Sequence, residues 1–207
     1  MALTDGPDAG GYVYYDSHEE GVIPFVWESI LNSKTSVVVP EFQSVAKEGG
    51  EEAILSHPID IGFTFTFYGN EYTQLYISKY GYLTFNDGPR LASCSVEPIP
   101  TASTNKTANF IAGMWAYLHP GAWQASVRYE LRGSSPNREF VVQFSNVPYL
   151  YHRDDEGNTY QYVLYEGSND IQVNYSGVTS YGDGSIYDAM VRSEERRVGK
   201  ELRSCVD

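Results

Sequence analysis

Ile59-Asp60-Ile61-Gly62-Phe63-Thr64-Phe65-Thr66-Phe67 puts a large apolar side chain at every odd position and a small or polar one between. Neighbouring side chains of an extended chain point to opposite faces, so a period of two makes a strand with one face on a core. A helix would scatter the same residues around its axis. Tyr68-Gly69-Asn70 then turns the chain, since glycine and asparagine tolerate the positive φ of tight turns. Outward from this run, 72–78 and 82–85 read as the next strands, divided by Lys79-Tyr80-Gly81.

The same signal recurs along the chain. Strands are expected at 12–16, 25–30, 36–39, 53–56, 110–118, 126–132, 139–145, 159–165 and 171–175, with a last one at 186–191. Between them stand Gly49-Gly50, Pro120-Gly121, 133–137, 154–158 and 167–170, rich in turn-forming residues. Stretches of helical periodicity are few, so helices to cover a parallel sheet are lacking. The expected fold is therefore all-β: a single-domain antiparallel β-sandwich, jelly-roll-like, with two sheets packed on each other. With 207 residues, such a sandwich buries roughly 70% of its unfolded surface and needs no metal or disulfide to fold. The 18 tyrosines against 3 methionines fit pleated, half-buried surfaces.

A net charge of −13 repels phosphate backbones and anionic lipid, which argues against nucleic acid as a partner. No apolar stretch reaches the ~20 residues of a membrane helix, so membrane insertion is not expected. Met1–Gly10 lacks the basic start and apolar run of a signal peptide, so the chain reads as a piece of a larger exported protein. The last sixteen residues, 192–207, carry five basic and four acidic side chains, a net of +1, against about −14 before them. RSEERRVGKE within them resembles a translated sequencing adapter. The chain is thus divided into a module at 1–191 and a non-native tail at 192–207. Without Cys205 of that tail, Cys94 has no partner for an internal disulfide.

An ordered set of landmarks spans about 5–190: Gly11-Tyr12, Phe25-Val26-Trp27, Ile61 to Gly69, Gly81-Tyr82-Leu83-Thr84-Phe85, Asn109-Phe110-Ile111-Ala112, Met114-Trp115, Pro136-Asn137-Arg138, Phe140 to Phe144, Asn146-Val147-Pro148, Leu164 to Gly167 and Asn169-Asp170-Ile171. Together they resemble a recurrent module of bacterial and archaeal secreted and cell-surface proteins, and more loosely the nidogen-type extracellular domain. The resemblance implies a β-sandwich without known catalysis, found beside secreted proteases and adhesin repeats. It implies an extracellular or cell-surface place and a role in adhesion, recognition or support of a neighbouring domain. Two positions depart from the pattern. Trp115 is followed by Ala116-Tyr117-Leu118 where two acids are usual, and the usual Asn-Gly turn is Tyr80-Gly81.

Catalytic signatures are missing. There is no G-x-S-x-G elbow and no H-E-x-x-H, and His18, His57, His119 and His152 have no metal-ligand spacing. A polysaccharide hydrolase needs two carboxylates facing one groove, and no sequence feature selects a pair. No cofactor is expected, apart from calcium. For calcium, Asp154, Asp155, Glu156 and Asn158 cluster oxygen ligands around Gly157; a solvated hairpin tip is the plainer reading. For ligands, Tyr117, His119 and Trp123 fall near one turn, and Tyr149, Tyr151 and His152 near another. Aromatic rings of this kind stack on sugars while their polar ends bond hydroxyls, or else they cover sheet faces. The expected role is a non-catalytic accessory or adhesion module for a glycan, a surface or a neighbouring domain. The alternatives are a spacer or filament subunit that assembles by strand addition at an open edge, and a polysaccharide hydrolase.

Overall fold

The computed structural model describes residues 7, 11–16, 26–39, 42–47, 50–86, 109–150, 157–179, 190–194 and 202–206. In chain order the strands are β1 (Tyr14–Asp16), β2 (Val37–Val38), β3 (Gln43–Lys47), β4 (Gly50–Leu55), β5 (Ile59–Phe67), β6 (Asn70–Ile77), β7 (Tyr82–Thr84), β8 (Phe110–Trp115), β9 (Ser126–Arg132), β10 (Glu139–Val147), β11 (Asn158–Tyr165), β12 (Ile171–Gly177), β13 (Met190–Glu194) and β14 (Leu202–Val206). The described residues contain no helix.

Two sheets pack face to face. The larger runs β1-β14-β12-β11-β10-β9-β2 and the smaller β13-β8-β7-β6-β5, with β3 and β4 forming a separate hairpin. Pairing is antiparallel except at β14, which lies parallel to both β12 and β1. β14 falls inside the 192–207 segment. Two up-and-down meanders, β5 to β8 and β9 to β12, supply the neighbours in each sheet. The short β5–β6, β6–β7, β9–β10 and β11–β12 connections follow from the closely spaced turn residues.

β5 behaves as its alternation requires: all five odd-numbered side chains are buried, and the intervening ones are exposed or half-buried. They meet Leu75, Ile77, Leu83, Ile111 and Met114 of their own sheet and Phe140, Val142, Phe144, Tyr160, Tyr162, Leu164 and Val173 of the other. The β5–β6 turn has Tyr68 at φ 50 and Gly69 at φ 77, the two left-handed residues that match strand twist in a two-residue hairpin. β8 is buried on both faces. Its outer side packs Phe110 and Trp115 against Tyr82 and the β4 residues Ile54 and Leu55.

Two tyrosines tie the sheets together by hydrogen bonds. The Tyr162 hydroxyl accepts from Gly113 N–H at 2.6 Å and donates to the Gly81 carbonyl. The Tyr175 hydroxyl donates to the Gly113 carbonyl. A Cβ on Gly113 would lie 2.7 Å from the Tyr162 ring, so glycine is what lets the ring reach the strand.

One end of the sandwich is tied by a second device. Arg138 grips Glu166 through Nε at 2.8 Å and Nη2 at 2.5 Å, and its own N–H donates to the same carboxylate. This forked pair joins the β9–β10 and β11–β12 hairpins and holds the Glu166 carboxyl down at about 2.

The expected strand at 25–30 is not formed over its described residues, 26–30. Residues 26–36 instead form an irregular strap, because the side chains of Gln143 and Gln161 take its backbone groups before any strand can pair with it. β3, with few apolar residues, carried no strand signal in the sequence.

Tyr162→Phe leaves Gly113 N–H and the Gly81 carbonyl without this partner in the core, a loss of ~1–3 kcal/mol measurable by chemical denaturation. The pH response is two-sided. Burial raises the Tyr82 phenol to about 12, and Tyr160 and Tyr162 are also raised. The stability that Tyr82 contributes is complete below the ordinary value of 10.0 and is lost as pH climbs through 12. Glu166 works at the other end: its contribution is present above 4.5 and disappears as pH falls toward 2. Thermal melts across pH check both limbs.

Candidate functional site

The outer face of the large sheet carries polar side chains in register. Arg128 on β9 stands opposite Gln143 on β10, Gln143 opposite Gln161 on β11, and Gln161 opposite Asn174 on β12. Side chains directly opposite on neighbouring strands touch, so these residues form one row. The three amides are buried, as is Gln172 one step along β12.

Buried amides must be satisfied, and here they satisfy one another and the strap. Gln161 Nε2 donates to Gln143 Oε1 at 2.7 Å and to the Glu28 carbonyl at 2.8 Å. Gln143 Oε1 accepts from Ile30 N–H at 2.8 Å, and its Nε2 donates to Ser145 at 2.7 Å. Gln172 Nε2 donates to Asn174 Oδ1 at 2.8 Å, and the Tyr165 hydroxyl donates to Gln172 Oε1 at 2.6 Å. The strap is fastened further by Ser33 and Thr35 on Glu130, and by Ile30, which packs on Val141 and Val163.

Beside the strap the row opens into a groove of about 410 Å³, within the ordinary range of a small-ligand site. Its floor is Gln161, Val163, Gln172 and Asn174, one wall is the strap, and the other is Tyr165 with Ser168 and Asp170 of the β11–β12 turn. At one end Arg132 binds Glu28 and Glu139, each at 2.9 Å. Three carboxylates against one guanidinium leave this groove acidic. The amides donate and accept without carrying charge, and half-buried Tyr165 adds an aromatic ring.

The ligand residues expected from sequence lie elsewhere. Leu118 bridges to Tyr149, His119 N–H donates to the Pro148 carbonyl at 2.9 Å, and Leu150 N–H donates to the Tyr117 carbonyl at 2.7 Å. The structure therefore does bring the two turns together. Tyr149 is buried and donates its hydroxyl to the Thr179 carbonyl at 3.0 Å. Half-buried Tyr117 packs edge-on against Tyr80. Trp123 is 88% exposed. Tyr151 and His152 lie outside the described residues.

Of the expected calcium ligands, Asp154, Asp155 and Glu156 also lie outside them. Asn158 is buried: its amide donates to the Val147 carbonyl and accepts from Thr179 N–H, both at 3.0 Å. Both polar ends of that side chain thus hold the chain together. Among the described residues no group of three or more His, Cys, Asp or Glu could hold a metal, and no helix is long and apolar enough to cross a membrane.

The family model described as NIDO related matches residues 28–194. The chain belongs to the NIDO-related family. That membership suggests an extracellular-type module of a family that is non-enzymatic in general. No curated protein and no solved structure matches the chain. The matched span begins at Glu28 in the strap, and it contains the whole amide row.

Ile30→Ala removes the apolar plug of the strap. The expected cost is ~2 kcal/mol or more, with faster amide hydrogen exchange at Ser33, whose N–H is held by the carbonyl of residue 30. Exchange unchanged at Ser33 would mean that the amide row holds the strap without its plug.

Proposed function

We propose that the protein is a non-catalytic extracellular recognition module and that the groove on its large sheet holds a neutral glycan. The observation that carries this reading is the row Gln161–Asn174 with Gln172 and Tyr165 beside it, opening into one cavity. A sugar ring presents hydroxyls that donate and accept at once, and paired amides answer both roles. Half-buried Tyr165 offers apolar surface for a ring face. Glu28, Glu139 and Asp170 disfavour uronates and sulfated sugars. Glu28 and Glu139 are both tied to Arg132 in ion pairs, which supports binding over hydrolysis.

A second reading rests on Trp123. Its exposure at the joined 117–123 and 148–150 turns offers a stacking platform at the end of the sandwich. One set of variants separates the two. On a glycan array followed by calorimetry, the groove reading expects neutral oligosaccharides to bind and acidic ones to fail. Gln172→Ala with Asn174→Ala weakens binding at least tenfold, ~1.4 kcal/mol, and Trp123→Ala leaves it unchanged. The reverse pattern assigns recognition to the Trp123 turn. Turnover of a bound glycan would contradict the non-catalytic role.

A further inference from the structure

β5 closes the small sheet: among the described residues its strand neighbour is β6 alone. Its sequence has five large apolar side chains and Asp60 as its only charge. A long strand of that composition, left open at a sheet edge, invites pairing with another chain.

The free side of β5 is occupied by side chains from the other sheet. Arg138 Nη1 donates to the Gly62 carbonyl at 2.6 Å. Asn169 Oδ1 accepts from Thr66 N–H at 2.6 Å. In the tight hairpin Phe67 pairs with Asn70 next to the turn, so the backbone of Thr66, one residue back, points away from β6. Gly62 sits at φ 87 where the β5–β6 register shifts, and a Cβ there would meet Leu131 at 2.5 Å. Both guards are held in place. Arg138 is forked onto Glu166, and Asn169 lies at φ 58 in the β11–β12 turn, its N–H on the Tyr165 carbonyl.

We propose that the free edge of β5 is a strand-addition surface that fits the same edge of a second copy of this chain, and that Arg138 and Asn169 hold it shut. Two β5 strands set antiparallel continue the small sheet with both apolar faces on the core side. The hydrogen-bonding positions needed for that pairing are the ones the guanidinium and the amide fill. The inference is independent of the groove.

The test combines Arg138→Met with Asn169→Ala. Methionine keeps apolar bulk near the Phe63 ring, where the guanidinium carbon now lies 5.7 Å from the centroid. Light scattering on separated species, over a wide range of concentration, is expected to show a monomer for the parent chain. The double variant should give concentration-dependent dimers. Adding Thr64→Lys, at an exposed site on β5, should restore the monomer, because an edge lysine blocks pairing without mending lost contacts. A double variant that keeps the parent circular-dichroism spectrum yet stays monomeric overturns the proposal. So does association that Thr64→Lys leaves untouched. If the double variant does not fold, Asn169→Ala alone exposes Thr66 N–H; weaker dimerisation then supports the proposal, and a folded monomer overturns it.

Discussion

The hydroxyl of Tyr162, pinned between Gly81 and Gly113, is the interaction on which the packing of the two sheets depends. Apolar burial supplies most of the drive for the sheets to come together, but burial has no direction. Many relative placements would hide the same phenylalanines. A buried hydroxyl is less tolerant, because an unmade bond in a dry interior is costly. With Tyr175 on the same glycine, the placement of the large sheet must bring both hydroxyls to Gly81 and Gly113 at once. Fixing that placement also fixes which side chains of β10, β11 and β12 turn outward, and so the amide row.

The outer row inverts the usual logic of a sheet surface. Solvent-facing positions of an antiparallel sheet are normally wet. Here they are roofed by a strap that has little structure of its own, and the amides do the holding. Each amide that anchors the strap has a neighbour that faces the groove, so the floor of the site is stiffened by the bonds that attach its wall. Preorganised polar groups lose less entropy on binding than mobile ones. This is the physical link between the fold and the proposed recognition.

The sequence made some of this legible. The alternation of Ile59–Phe67, the Tyr68-Gly69 turn and the hairpin at 167–170 are local, and local signals survive in one dimension. Phe25-Val26-Trp27 has the composition of a strand, so the sequence does not show the strap at 26–36. What makes it a strap is Gln143, more than a hundred residues away. β3 was invisible because Gln43-Ser44-Val45-Ala46-Lys47 has too few apolar residues to show a period. The groove was missed for a related reason. Gln143, Gln161, Gln172 and Asn174 each sit among apolar residues of a strand, an unusual place for an amide, but only the register across three strands joins them. The rim residues drew notice because aromatic side chains stand out by type. Tyr149 and Asn158, the ones most deeply buried, are held by internal hydrogen bonds.

Nuclear magnetic resonance of the side-chain amides tests the central claim most directly. The account predicts that titrating a neutral oligosaccharide shifts the NH2 signals of Gln172 and Asn174, while the Trp123 indole stays in place. Shifts confined to the Trp123 indole and its turn, with the amide row silent, would contradict it.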